Sequence, residues 1–315
     1  MDWSERIGRR IKLRDLHVLL AITQSGSIAK AARQLAISQP VVSKVIADLE
    51  QVLGVRLIDR DRLGAEATVF GKALLKRGIA AFDELKQGVE EIAFLKTGAG
   101  GELRLGAGFV TAEGLLPPIL QRFRREYPLL TIHIPQGLIG GPALYQELRA
   151  RNVDLVVGRM HLPIEDDDLA GEILIDDPLV VVVGPRHPLL RRRKLELHQL
   201  VNENWILPEG GAARTVIEET FAACQLRVPR AVIVSNSLAL HEAMLANEPL
   251  LAIWPASVLN WGPRRHLVQR LPVALPDLPR PVGIVTLKRR TISPVAQLFI
   301  EKAREVVKSL PRARP

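Results

Sequence analysis

The sequence predicts an α/β chain with a helical N-terminal domain, one long helix and a larger region of alternating strands and helices. Three observations support this fold class. Residues 11–68 show helical periodicity that ends in a short basic segment, and residues 69–97 continue as a single helical pattern. After the glycine-rich segment TGAGG, short β-rich runs alternate with helical stretches. Such alternation is typical of α/β units around mostly parallel sheets.

Composition narrows the classes of function. The 315 residues carry a formal net charge of +9, which favours a polyanionic partner, and they include a single cysteine, Cys224. One cysteine excludes a disulfide framework and a cysteine-based zinc site within the chain. Neither a nucleophile-elbow nor a phosphate-loop motif is present, so we predict no catalytic site, metal or cofactor. A charged N-terminus without a long apolar run predicts no signal peptide, no membrane span and a cytoplasmic location.

The stretch SIAKAARQLAISQPVVSKVIADLEQVLG, Ser27 to Gly54, predicts two helices joined by a tight turn. Ser38 is placed to cap the second helix, Pro40 lies in its first turn, and Gly54 fits its end. On a helical wheel its apolar residues share one side: Val42, Val45, Ile46, Leu49, Val52 and Leu53. The opposite side carries Pro40, Ser43, Lys44 and Ala47, with Gln39 at its leading end.

The preceding helix is capped by Ser27 and is rich in alanine. Ala31 and Ala32 allow a close helix crossing, with Leu35 beneath it. We expect residues of an earlier helix to complete a three-helix core: Leu16, Leu20 and Thr23.

This pattern predicts a helix-turn-helix whose second helix enters the major groove of DNA. The alternative is a plain three-helix bundle with a solvated face. The segment VRLIDRDRLGAEATVFG predicts a β-wing whose arginines suit phosphate contacts, which favours DNA binding. The predicted DNA-binding residues are Ser27, Ser38, Gln39, Pro40, Val41, Ser43, Lys44, Arg60 and Arg62.

These motifs resemble those of LysR-type transcriptional regulators. The residues that carry the resemblance run from Gly26 to Arg60, GSIAKAARQLAISQPVVSKVIADLEQVLGVRLIDR, followed by Thr68-x-x-Gly71. The resemblance implies a winged helix-turn-helix, a dimerising linker helix and an effector domain like a type 2 periplasmic binding protein. It further implies a homodimer or homotetramer on double-stranded promoter DNA.

We predict a DNA-binding domain over 11–68, a linker helix over 69–97 and an effector domain over 102–310. In the effector domain, one lobe takes about 102–175 and 276–310, and the other about 176–275. Chain crossings near Ile173–Pro178 and Val273–Arg280 would join the lobes.

The linker helix has apolar residues spaced by threes and fours, close to a coiled-coil seam. Thr68 is a plausible cap for this helix. The seam residues are Leu75, Ile79, Phe82, Leu85, Val89 and Ile92. A helix with one apolar stripe either packs on its own domain or pairs with a second copy, and we favour pairing.

In open α/β sheets, ligands bind beyond the carboxyl ends of the strands. The residues that follow the predicted strands at the family's cleft positions are Val110, Thr111, Gln136, Arg159, Leu207, Pro208, Ser235 and Asn236. Two alternatives stay open: Ser235 and Asn236 also suit a helix cap, and Arg159 also suits a structural ion pair.

The sequence therefore predicts a DNA-binding transcriptional regulator that is modulated by a small molecule. The first effector classes to consider are a carboxylated aromatic catabolite and a sugar-related compound, because DLVVGRM and GPRHPL resemble the branch of the family that regulates protocatechuate degradation and sugar-binding-protein genes. The alternative is a small-molecule binding protein or enzyme on the same two-lobed scaffold. The run EDDD, Glu165 to Asp168, fits a solvated loop better than a metal site.

Overall fold

The computed structural model describes residues 10–61, 64–97, 100–135, 141–160, 162–262 and 265–311. The chain divides into two compact units, residues 1–89 and 90–315, and one long helix passes from the first unit into the second. Within the described ranges, no helix is both long enough and apolar enough to cross a membrane.

The N-terminal unit consists of three short helices, a β-hairpin and most of the long helix. Its elements are α1 (Leu13–Ser25), α2 (Ile28–Gln34), α3 (Gln39–Leu53), β1 (Ile58–Asp61), β2 (Gly64–Ala67) and α4 (Val69–Thr97). The strands pair antiparallel, with Ile58 opposite Ala67 and Asp61 opposite Gly64. The helix pair, the wing and the long helix therefore lie where the sequence predicts them.

The three-helix core uses a different side of α1 from the predicted one. We expected Leu16, Leu20 and Thr23 in this core, and that prediction is wrong. The buried residues of α1 are Val18, Leu19, Ala21 and Ile22. Leu16 lies beside α4, where a Cβ added at Gly78 would be 3.6 Å from its Cδ1. Thr23 donates its hydroxyl to the Leu20 carbonyl at 2.8 Å, a bond within its own helix.

Ser27 and Ser38 occupy the N-cap positions of α2 and α3, but neither hydroxyl makes a capping hydrogen bond. The predicted capping role of these two hydroxyls is therefore wrong. Pro40, in the first turn of α3, supplies a φ angle suited to the start of the helix instead. Gly54 ends α3 in the left-handed region, with a φ of 72°, as the sequence predicts.

Two side chains tie the wing to the helices on either side of it. The Glu50 carboxylate of α3 accepts two backbone N–H groups, the nearer from Leu57 at 2.7 Å. The Thr68 hydroxyl accepts from the N–H of Gly71 at 3.0 Å and donates to the Arg56 carbonyl at 2.8 Å. Thr68 thus caps α4 as predicted, and these bonds satisfy backbone groups that a strand start and a helix start leave unpaired.

The C-terminal unit contains two five-stranded sheets surrounded by helices. Its strands are β3 (Gly101–Ala107), β4 (Leu130–His133), β5 (Leu155–Arg159), β6 (Leu169–Asp176), β7 (Leu179–Val183), β8 (Leu195–Glu196), β9 (Trp205–Leu207), β10 (Ala231–Val234), β11 (Leu251–Pro255), β12 (Gln269–Arg270), β13 (Val273–Ala274) and β14 (Pro281–Leu287). Its helices are α5 (Phe109–Glu113), α6 (Leu116–Glu126), α7 (Gly141–Arg149), α8 (Gly211–Ala223), α9 (Leu238–Asn247), α10 (Ala256–Trp261) and α11 (Pro294–Ser309).

Both large sheets are mixed, where we predicted mostly parallel ones. The strand orders are β4-β3-β5-β14-β6 and β10-β9-β11-β7-β12, and a separate pair joins β13 to β8. In the first sheet β14 runs antiparallel to both of its neighbours, and in the second β7 does so. These antiparallel strands lie where the chain passes between the sheets, which is why a pattern of alternating strands and helices did not reveal them.

The two crossings between the sheets are held by buried polar contacts. After β6, the Asp177 carboxylate accepts the N–H and the hydroxyl of Ser257 at 2.9 and 2.7 Å. Before β14, the N–H of Arg280 donates to Asp176 at 2.5 Å, and its guanidinium donates to Glu219 at 2.6 Å. The crossings lie within the segments predicted for them, and each of these contacts joins a crossing to a neighbouring element.

Gly71 has no room for a side chain, because an added Cβ would lie 2.1 Å from the carbonyl oxygen of Leu57. We therefore expect Gly71→Ala to lower the free energy of unfolding of the N-terminal unit by about 1–3 kcal/mol. The measurement is amide hydrogen exchange of the α3 and wing residues in the full chain.

Gly78→Ala, in the same helix, is the matched control. Its Cβ would meet Leu16 at ordinary contact distances of 3.6 Å and more. Since alanine favours a helix over glycine, this change should be neutral or stabilising by up to about 1 kcal/mol. Equal hydrogen-exchange protection in the two variants would contradict the account of the wing junction.

Candidate functional site

Helix α3 presents its first turn to solvent while its other side is buried. Val42, Ile46 and Leu49 are enclosed in the N-terminal core. The exposed residues are Gln39, Pro40, Val41, Lys44 and Ala47, and Ser43 is half-buried beside them. Amide, hydroxyl and ammonium groups therefore project from one end of a helix whose opposite side packs against the N-terminal core. This is the arrangement that a groove-binding helix needs.

The wing adjoins this surface but is less uniformly basic than the sequence predicts. Arg56 is exposed at its base. The side chain of Arg60 and the whole of Arg62 lie outside the described residues, so their predicted phosphate contacts stay predictions. Two acidic residues, Asp59 and Glu66, are exposed opposite each other across the hairpin. Their negative charges oppose close approach of phosphates on that face of the wing.

Helix α4 carries an exposed apolar stripe. Leu85, Val89 and Ile92 are 53%, 67% and 57% exposed. On the opposite side of the helix, Asp83 and Gln87 are buried, and the Gln87 amide donates to the Asp83 carboxylate at 2.9 Å. The first half of the predicted seam is less exposed than the second half. Its residues are half-buried within the N-terminal unit: Leu75, Ile79 and Phe82. The Phe82 ring contacts His17 of α1 edge-on, with ring centres 5.9 Å apart.

A cavity of about 250 Å³ lies between the two sheets of the C-terminal unit. Six of the eight predicted effector residues line it: Val110, Thr111, Arg159, Pro208, Ser235 and Asn236. Gln136 lies outside the described residues. Leu207 does not line the cavity, and its side chain is fully buried in the core. The next residue, Pro208, does line the cavity.

Several lining residues escaped the sequence reasoning. Eight of them lie on helices rather than at strand ends: Leu144, Tyr145, Ala212, Ala213, Val216, Ile217, Leu238 and His241. Nothing in their spacing distinguishes them from ordinary core residues. Burial raises the pKa of the Tyr145 phenol, so that this side chain stays a neutral hydrogen-bonding group. Together these residues give the cavity a mostly apolar wall.

Arg159 is the last residue of β5, and it lines the cavity without an ion pair to any described residue. Its Nη2 donates to the backbone carbonyl of Asp177 at 3.2 Å. Its Nη1 is buried and has no hydrogen-bond acceptor among the described residues. Burial lowers the pKa of this guanidinium, and the nearby charge of Asp177 partly opposes that shift. The alternative of a structural ion pair is not supported, since no carboxylate in the described ranges lies within ion-pair distance of Arg159.

Ser235 and Asn236 do not cap the following helix. The cap of α9 is Ser237, whose hydroxyl accepts the N–H of Leu240 at 3.3 Å. Ser235 accepts the N–H of Ser237 at 3.1 Å, and Asn236 accepts the N–H of Glu209 at 3.3 Å. Both side chains therefore shape the turn at the cavity wall, and the capping alternative is wrong.

His241 and Trp254 form a buried polar pair in the same wall. The Trp254 indole donates to His241 Nδ1 at 3.2 Å, and His241 Nε2 lies 2.9 Å from the Ser235 carbonyl. An indole only donates, so Nδ1 must accept and Nε2 must carry the proton. Burial lowers the pKa of His241. The ring is therefore a neutral imidazole with both nitrogens in use.

Comparison with known proteins assigns both units. The model of the bacterial regulatory helix-turn-helix protein, lysR family, matches residues 13–72, and that of the LysR substrate binding domain matches residues 96–308. YdcI, an uncharacterised HTH-type transcriptional regulator of Escherichia coli, is 28% identical over 99% of this chain and 100% of its own length. The HTH-type transcriptional regulator GalR of Pseudomonas putida is 30% identical over 93% of this chain and 74% of its own.

Solved structures share the fold along nearly the whole chain. A full-length OxyR variant from Pseudomonas aeruginosa has a TM-score of 0.66 at 20% identity, covering 97% of this chain and 99% of its own. Full-length CbnR in complex with its target DNA has a TM-score of 0.55 at 20% identity, covering 94% and 100%. With both units matched and the architecture shared, the chain belongs to the LysR family of bacterial transcriptional regulators.

Proposed function

We propose that this regulator reads promoter DNA with the first turn of α3 and that a small molecule in the cavity alters this reading. The observation that carries the DNA-binding part is the exposed end of α3, with Gln39, Val41 and Lys44 projecting from a helix whose opposite side is buried. The alternative of an enzyme on the same scaffold is not supported, because the relatives are named as transcriptional regulators.

Each exposed side chain has a chemical partner in the major groove. Gln39 can bond both edge groups of an adenine, and Val41 can contact a thymine methyl group. Lys44 reaches guanine or phosphate, and Ser43 adapts to either. The wing arginines, Arg60 and Arg62, would neutralise phosphates beside the groove. The other predicted contacts, Ser27, Ser38 and Pro40, lie at the starts of the two helices, where the backbone can approach a strand of DNA closely.

The exposed stripe of α4 supports pairing with a second copy of the chain. Leu85, Val89 and Ile92 lie on one side of the helix, and an apolar stripe of this length is poorly placed in water. We propose that α4 pairs with α4 of a second copy and so presents two recognition helices to a pseudo-palindromic site. We also propose that two such dimers form a homotetramer. The protein would act in the cytoplasm, where the promoter DNA is.

The test of DNA reading compares two glutamines on one helix. Gln39→Ala should weaken binding to the specific site by roughly 1–3 kcal/mol while leaving non-specific binding in place. Gln51→Ala is the control, because Gln51 is exposed on the same helix but lies about 18 Å further along its axis. The measurement is a titration of operator and unrelated duplexes. Equal site preference in the two variants would remove the first turn of α3 from the groove.

The wing arginines are tested by salt dependence. Arg60→Ala and Arg62→Ala should each weaken specific and non-specific binding alike and reduce the slope of log affinity against log salt by about one. The measurement repeats the titration at several salt concentrations. A slope equal to that of the unaltered protein would mean that these arginines do not contact phosphates.

The pairing of α4 is tested at two exposed positions of its apolar stripe. Leu85→Asp with Val89→Asp would place unpaired charges in the proposed interface, so the protein should shift to smaller species in sedimentation velocity and lose operator affinity. Leu85→Met with Val89→Ile keeps the stripe apolar and should leave the assembly unchanged. An unchanged assembly in the aspartate variant would show that another surface holds the copies together.

A further inference from the structure

The cavity wall contains one cationic side chain with a hydrogen-bond donor that has no acceptor among the described residues. Arg159 lines the cavity, and its buried Nη1 has no acceptor among the described residues. A buried donor without an acceptor is destabilising, and one that is charged is more so. A guanidinium in this condition therefore favours any anionic group that can enter beside it.

The neighbouring charged groups are already engaged. Both carboxylate oxygens of Asp177 accept hydrogen bonds from Ser257. The Arg280 guanidinium donates to the Glu219 carboxylate and to the Val216 carbonyl. No carboxylate of the described residues forms an ion pair with Arg159, and the described lining residues include no second cation that could bind a further negative charge.

The remaining polar groups of the wall are neutral and few. His241 has both nitrogens bound, one by Trp254 and one by the Ser235 carbonyl. Adding a proton at Nδ1 would place two donors against each other, so this ring supplies no positive charge. Thr111 offers a hydroxyl and lies on the same wall. A ligand here meets one cation, one carboxylate that Ser257 already engages, a few uncharged hydrogen-bonding groups and an otherwise apolar surface.

The volume limits the size of the ligand. An apolar protein cavity of about 150 Å³ is large enough to hold benzene. The cavity here, at about 250 Å³, has room for one ring or a branched chain of similar size together with one small polar substituent. Apolar side chains close around that body, among them Val110, Leu179, Val216 and Trp254.

We propose, building on the proposed function, that the effector is a compact monoanion: a single carboxylate on an otherwise apolar body of about one ring. Its carboxylate binds Arg159 Nη1, with Thr111 as a second donor, and its body lies against the apolar wall. A sugar is disfavoured, because an apolar wall would leave most of its hydroxyls without partners. A dicarboxylate or phosphate ester is disfavoured as well, because its second charge would be buried without a partner.

The experiment uses isosteric acids and amides on the full-length protein. The probes are benzoate with benzamide, cyclohexanecarboxylate with cyclohexanecarboxamide, and glucose. Binding is measured by calorimetry and by tryptophan fluorescence, because Trp254 lies in the wall. Concentrations up to about 10 mM detect dissociation constants in the millimolar range. At least one acid should bind about tenfold to a hundredfold more tightly than its amide, since a charge-assisted hydrogen bond is lost in the amide.

Variants of Arg159 locate the charge. Arg159→Gln should remove the preference for acid over amide, and Arg159→Lys should restore part of it. Arg304→Gln is the matched control. Arg304 lies on α11, pairs with Glu172 of β6 and does not line the cavity, so this variant should keep the full preference for acid over amide. If Arg159→Gln fails to fold, the acid and amide comparison on the unaltered protein still decides the question.

Four outcomes overturn the inference: equal binding of acids and amides, tighter binding of glucose than of either acid, no binding of any acid, or an acid preference that survives in Arg159→Gln.

A footprint on operator DNA with the same samples separates this inference from the proposed function. A sequence-specific footprint with no acid preference refutes only the effector class. Loss of sequence-specific binding refutes the proposed function, whatever the acids do.

Discussion

The burial of one side of α3 is the interaction on which the DNA-binding surface depends. Val42, Ile46 and Leu49 pack into the N-terminal core, and this packing determines which residues of the helix face outward. The wing is held to the same helix by Glu50, which accepts backbone N–H groups at the start of the hairpin. Recognition helix and wing are therefore parts of one packed unit, and the orientation of the exposed side chains follows from residues that never meet solvent.

The cavity depends in a similar way on contacts made away from it. The chain passes between the two sheets at Asp177 and again at Arg280, and both residues are tied to neighbouring elements by buried hydrogen bonds. Arg159 is linked to the first crossing through the Asp177 carbonyl. Arg159 thus lines the cavity and also donates a hydrogen bond to the connection between the sheets. A group bound at Arg159 would act directly on a connection between the sheets, and such connections are where hinge motions of two-lobed proteins are absorbed.

The parts of the fold that the sequence predicted are those with a strong single periodicity. Helix α3 has one apolar side, and the helical pattern of α4 runs unbroken from Val69 to Thr97, so both could be read from spacing alone. The same reasoning failed for helix α1. Its apolar residues are distributed around the helix axis, and the helix packs against other elements on two sides.

The candidate site shows a related limit. Positions near the ends of strands predicted six of the residues that line the cavity, because the carboxyl ends of neighbouring strands meet at one edge of a sheet. Of the adjacent residues Leu207 and Pro208 only Pro208 lines the cavity, and a single sequence does not reveal which of two adjacent residues does so. The unpaired nitrogen of Arg159 was also beyond prediction, since its environment is set by Asp177 and by elements far away in the chain.

The pairing of His241 with Trp254 has a consequence for what the cavity can report. The indole holds the imidazole in its neutral form, and burial lowers its pKa below the usual value near 6.5. Both ring nitrogens are engaged, so the histidine has no free site for a further proton. The ring is therefore a fixed, uncharged part of the wall rather than a group that senses acidity.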